Sequence, residues 1–178
     1  DGKRDAMSNA LRFIMMASIP SAIGLIVVGQ PLISLLERGA FDASASALVY
    51  TTLRAFTLGL IVHSALEVVA RSFYADKDTL TPLWAALGGA SINLILSLWL
   101  SGIMTGENPP IENVMWLAFA NSMGVAFEVA VLVYLLRKRW HGINENSVVV
   151  TTVKTLIASL IMGVGVLAVG QVFAFLGI

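Results

Sequence analysis

The chain has 178 residues, 57% of them hydrophobic and 12% charged, against roughly 45–50% apolar and about 25% charged in an ordinary soluble domain. This excludes a water-soluble globule, and the mean hydropathy of +0.85 puts lipid around most side chains. Eleven basic residues balance eleven acidic ones and there is no cysteine, which excludes a charge-driven nucleic-acid binder, disulfides, thiolate metal sites and thiol nucleophiles.

The chain opens Asp1-Gly2-Lys3-Arg4, with neither an initiator Met nor a cleavable apolar segment, and so reads as cut from a longer protein. Five apolar stretches follow, at 11–36, 46–75, 82–104, 113–136 and 148–176. Each can cross a hydrocarbon core of about 30 Å, which takes about 20 helical residues. Backbone polar groups find no water there, so the stretches must be helices, and they are too long and continuous for barrel strands. The fold class is all-α and polytopic, with five transmembrane helices whose short connections predict antiparallel neighbours in one bundle.

The first span contains Pro20, where a lost backbone bond predicts a kink. It ends at Glu37-Arg38-Gly39, with Gly39 suited to a left-handed cap. Thr81 followed by Pro82 predicts a hydroxyl N-cap and a proline at the first helical position of the third span. Asn108-Pro109-Pro110 marks the loop before the fourth. Gly88, Gly89 and Ala90, and later Gly163 and Gly165, predict close helix approach.

Charge position sets orientation. With the start of the chain in the cytoplasm, Lys3, Arg4, Arg12, Arg71, Lys77, Arg137, Lys138, Arg139 and Lys154 all fall on the cytoplasmic side, leaving only Arg38 and Arg54 outside. Trp116 near one boundary, and Tyr134 and Trp140 near the other, fit interfacial anchors.

Ionisable groups inside a span are costly and mark candidate sites. In the second span His63, Glu67 and Arg71 share one stripe at 100° per residue, with Arg54 on nearly the opposite face. Glu67 and Arg71 stand at the i, i+4 spacing of an intrahelical ion pair, and the same stripe could face an aqueous cavity. Glu128, mid-span in the fourth helix after Asn121 and Ser122, must be protonated, paired or wet. Asn93 in the third span is expected to make an interhelical hydrogen bond. Arg54, near the outer end of its span, is the best local candidate for a substrate contact. No metalloprotease, carboxylate-rich metal, nucleophile-elbow or phosphate-loop motif occurs, and the two histidines lie far apart. No catalytic residue, metal site or cofactor is therefore expected.

Two loops carry a resemblance. Leu35-Leu36-Glu37-Arg38-Gly39-Ala40-Phe41-Asp42, after Pro20-Ser21-Ala22-Ile23-Gly24-Leu25, and Ala70-Arg71-Ser72-Phe73-Tyr74-Ala75-Asp76-Lys77-Asp78-Thr79-Leu80-Thr81-Pro82, before Ile92-Asn93, resemble in order and spacing the MurJ (MviN) family of lipid II flippases. The resemblance covers essentially the whole chain. It implies a fold of fourteen transmembrane helices in two six-helix lobes plus two, shared with MATE-type drug exporters and polysaccharide flippases of the MOP superfamily. The five spans then look like helices nine to thirteen: residues 1–138 would be four spans of the second lobe, and 139–178 a cytoplasmic loop with a fifth, extra span.

The implied function is transport rather than enzymic chemistry, in peptidoglycan biosynthesis. Lipid II would be moved from the inner to the outer leaflet of a bacterial inner membrane, by alternating access around a cationic cavity. The implied partners are lipid II, membrane lipids and the remaining helices of the parent; the alternative is another polysaccharide-lipid or drug exporter of the superfamily. The family's cavity arginines lie mainly upstream of this chain, so none is carried over to a residue here.

Overall fold

A computed structural model describes residues 2–37, 42–101, 114–140 and 145–176. Among them are five helices: α1 (Gly2–Ser34), α2 (Ala43–Ala75), α3 (Leu80–Leu100), α4 (Val114–Trp140) and α5 (Glu145–Leu176). All five are long and apolar enough to cross a membrane. Several ends differ from the sequence reading. α1 begins at Gly2 rather than 11 and α4 runs on to Trp140 rather than 136, because helices continue past the hydrocarbon into the interface, where Lys3, Arg4 and Arg137–Arg139 no longer favour burial. The expected Gly39 cap and the Asn108-Pro109-Pro110 loop lie outside the described residues. α1 runs through both Pro20 and Pro31.

The start of α3 corrects the expected cap. Thr79 precedes the helix without a side-chain capping bond, and Asp78 takes the role instead, accepting from the Thr81 backbone N–H at 3.0 Å and the Thr81 hydroxyl at 2.8 Å. A carboxylate serves the orphan N–H groups of a first turn at least as well as a hydroxyl. Pro82 still falls within the first turn, where its missing N–H costs nothing. Asp42 does the same for α2, accepting from the backbone N–H groups of Ser44 and Ala45.

Packing follows an order different from the chain. α5 lies on α1, α1 on α2, α2 on α4, and α4 on α3, while α2 and α3 barely touch despite the short turn between them. The expectation that consecutive spans are neighbours thus holds for α1–α2 and α3–α4 and fails for α2–α3 and α4–α5. Short connections fix direction but not adjacency. α1/α2 and α3/α4 are antiparallel; α2/α4 and α1/α5 are parallel, since Ser122 meets Gly59 while Trp140 reaches Asp76, and Gly163 meets Ile23 while Thr151 meets Arg12.

The core gathers where α1 starts and α2 ends: Met7, Leu11, Met15 and Ile19 of α1, Val69 and Phe73 of α2, Ala85 of α3, and Leu132 and Leu136 of α4. The tightest seam is α3–α4. A Cβ on Gly89 would lie 2.7 Å from the Gly124 carbonyl oxygen, and one on Gly124 2.6 Å from that of Gly89, so the backbones touch there. Gly163 also abuts its neighbour, Ile23 at 3.0 Å, but a Cβ on Gly165 would meet nothing within 4 Å. Gly165 therefore serves no close approach. Elsewhere the surface is apolar, as Phe13, Trp84 and Ile161 illustrate, and suits lipid contact.

Candidate functional site

The turn between α2 and α3 ties four helix ends together. Asp76 follows α2 and its N–H donates to the Phe73 carbonyl, as that of Lys77 does to the Tyr74 carbonyl; the Asp76 carboxylate accepts from Lys3 Nζ at 2.6 Å and Trp140 Nε1 at 3.3 Å. Lys77 turns the chain at φ 58°. Asp78, capping α3, also accepts from Arg139 at 2.7 Å, whose guanidinium lies 5.5 Å from the Phe73 ring centroid. The Thr81 hydrogen bonds, with Arg139 behind them, hold the Asp78 carboxyl down at about 2. Lys3 holds Asp76 below the usual range, and the Ser44 hydroxyl does so for Asp42. The aspartates are thus acceptors fixed in the ionised form. Sequence reasoning read this segment as a signature and missed its clamp, although an acidic residue three before Thr81 is itself a cap signal.

The sequence-predicted residues fall into two places. His63 Nε2 lies 3.4 Å from Asn121 Nδ2; Asn121, Asn93 and Glu128 line a notch of about 170 Å³ at the Gly89–Gly124 crossing. One polar patch therefore joins α2, α3 and α4. Asn93 is not the interhelical bond expected: its side-chain oxygen accepts from Ser97 on its own helix at 3.1 Å, because the facing residue, Gly124, offers no side chain. Among the described residues no partner is recorded for the Glu128 carboxylate. Glu67 and Arg71 stand 3.4 Å apart with side chains 72% and 78% exposed.

Arg54 is on the other side of α2, away from this patch. Its guanidinium lies 5.7 Å from the Tyr50 ring centroid in a cleft of about 350 Å³ walled by Leu58, Met115, Trp116 and Phe119. The Tyr50 ring face attracts the guanidinium, whose N–H groups can pair with one anionic group. No group of three or more metal-ligating residues occurs among the described residues.

A family model described as "Lipid II flippase MurJ" matches residues 1–177. The chain is 27% identical over 157 residues to the probable lipid II flippase MurJ of Rhizobium tropici, covering 88% of this chain and 28% of that protein. It is 32% identical to the lipid II flippase MurJ of Thermosipho africanus, over 68% of this chain and 25% of the relative. To the probable lipid II flippase MurJ of Haemophilus influenzae it is 30% identical, over 92% and 30%. A solved structure titled "Lipid II flippase MurJ, inward closed conformation" superposes with a TM-score of 0.74 at 25% identity, over 92% of this chain and 33% of that one. The chain thus spans between a quarter and a third of the length of these relatives. None of them favours another exporter of the superfamily.

Proposed function

This chain belongs to the lipid II flippase MurJ family, and we propose that it is one segment of a flippase that moves lipid II from the inner to the outer leaflet of a bacterial inner membrane. The observation that carries the proposal is the family match along 1–177, supported by the fold likeness over 92% of the chain. A sugar-diphosphate headgroup cannot cross hydrocarbon unaided, so it needs a polar, cationic passage while its polyprenyl tail stays in lipid. No bond is broken, so no catalytic residue or cofactor is called for.

Alternating access requires a second body facing this one, so the segment works with the remaining helices of its parent, the start of α1 on the cytoplasmic side. α1–α4 would be second-lobe helices and α5 an extra span. In this reading the segment supplies scaffold and part of the wall. Several cationic donors are needed to grip a diphosphate, and Arg54 alone lies well within a span on the outer side. Arg54 is then a secondary contact. In the full-length protein, Arg54→Ala should weaken rescue of a flippase-depleted strain only modestly, and Arg54→Lys should rescue nearly normally. Complete loss with both, at normal membrane levels, would place the main headgroup site in this segment and overturn the assignment.

A further inference from the structure

α1 and α4 cover α2 on opposite flanks, α1 through Tyr50, whose hydroxyl donates to the Ile26 carbonyl, and α4 through Ser122 against Gly59. Between the flanks one open stripe runs down α2 within an arc of about 80°, and its character changes with depth. On the outer half it carries Val49, Phe56 and Leu60, all exposed and apolar. On the inner half it carries His63, Glu67, Arg71 and Tyr74, all exposed and polar at their tips. The change falls at His63, about 18 Å from the end of α2 at a rise of 1.5 Å per residue.

Ionisable side chains that face hydrocarbon at such a depth are costly. At the depth of His63 the open faces of α3, at Leu94 and Ile95, and of α5, at Ile157 and Leu160, are apolar; Arg12 of α1 and Lys154 of α5, exposed nearer the same end at about the level of Glu67, have long side chains that can reach the interface. Beside the polar half-stripe the α1–α2 seam opens into a cleft of about 560 Å³ whose lining includes Lys3, Ser64, Glu67, Arg71 and Trp140. The cleft leads to the end of the bundle where the Asp76 clamp sits.

We propose that this face of α2 is the wall of a water-filled vestibule, which enters from the end carrying Lys3 and Asp76, reaches His63 and stops against Leu60 and Phe56. It rests on the reading of the chain as a flippase segment, in that the water it holds would solvate the polar headgroup of the transported lipid. Glu67 and Arg71 offer that headgroup an acceptor and a donor side by side, and Leu60 and Phe56 seal the vestibule from the other leaflet.

The chain has no cysteine, so single cysteines can map the wall in the full-length protein with its other cysteines removed. Tyr74→Cys, Glu67→Cys, His63→Cys, Leu60→Cys and Phe56→Cys would be compared with the lipid-face controls Leu94→Cys and Ile157→Cys. A charged, membrane-impermeant thiol reagent is applied to spheroplasts and to inverted vesicles. Only a thiolate reacts, and a thiolate needs water, so the first three should react at least about tenfold faster than the controls from one side of the membrane. Leu60→Cys and Phe56→Cys should react at the control rate. His63→Cys and Glu67→Cys at the control rate, or Phe56→Cys as fast as Glu67→Cys, would overturn the vestibule. Should Glu67→Cys fail to reach the membrane, Ser64→Cys in the adjoining cleft takes its place. Rescue of a flippase-depleted strain by the cysteine-free parent reports separately on the underlying reading: a wet stripe without rescue sinks the flippase assignment alone, and a dry stripe with rescue sinks the vestibule alone.

Discussion

Replacing Gly89 by alanine places a methyl carbon 2.7 Å from the Gly124 carbonyl oxygen. Ordinary contact begins at 3.4 Å, so α3 and α4 must separate by about 0.7 Å, and neither backbone can rotate away as a side chain would. Overpacking of this kind costs about 1–3 kcal/mol, of which the better helix propensity of alanine returns ~1 kcal/mol. A net loss of up to about 2 kcal/mol is expected, at most roughly a thirtyfold fall in the folded-to-unfolded ratio. Gly165→Ala is the control, since its Cβ meets nothing within 4 Å; it should gain up to ~1 kcal/mol. Reversible unfolding in mixed detergent micelles measures both. Gly124→Ala should resemble Gly89→Ala, and the double variant should lose less than the sum, because one separation relieves both clashes. Gly89→Ala no less stable than Gly165→Ala, or strictly additive losses, would refute the contact.

The acid limb of stability should depend on Asp78. Its folded pKa, about 2, lies below the usual 3.8, so its contribution is complete above that usual value and is lost as pH falls through the interval between the two. Asp78→Asn should flatten that limb in thermal unfolding, leaving the part due to Asp76 and Asp42, and superimposable acid limbs would discount the clamp. The Glu67–Arg71 pair, exposed on both sides, should show a coupling of only about 0–1 kcal/mol in a double-mutant cycle, reduced by salt; a coupling of several kcal/mol would mean a dry site. For orientation, Ala43→Cys should react with an impermeant reagent in intact spheroplasts and Lys77→Cys should not, and the reverse pattern would overturn the charge-bias argument.

Hydropathy made the five spans legible because the bilayer imposes a length on any helix that crosses it. It could not locate their ends, since Lys3 and Arg139 are as helical as the residues before or after them but sit outside the hydrocarbon. The 67–71 spacing could be read because one helix contains both partners. The partners of Asp76 could not: Lys3 and Trp140 lie 73 and 64 residues away, and no local pattern encodes that meeting. Asn93 failed for a related reason, as its neighbour across the seam is a glycine that only the packing reveals. Gly124 follows Ala120 at the small-x-x-x-small spacing and could have been found.

The order in which the helices pack bears on how the segment is made. α1 with α2 and α3 with α4 are hairpins that can form as soon as each pair leaves the ribosome, but the α2–α4 seam has to wait until α4 has joined the other three in the bilayer. Within the segment α5 is made after the other four helices and its principal neighbour is α1, the earliest of the five, across the 139 residues that separate Arg12 from Thr151, whose hydroxyl accepts the Arg12 Nε–H at 3.0 Å. Throughout that wait the α5-facing side of α1, including Ile23 where Gly163 will seat, is open to lipid or to any other nascent helix. Such late, long-range closure is slow and prone to mispairing, which makes the α1 face the point in biogenesis where a membrane insertase or chaperone would have most to protect.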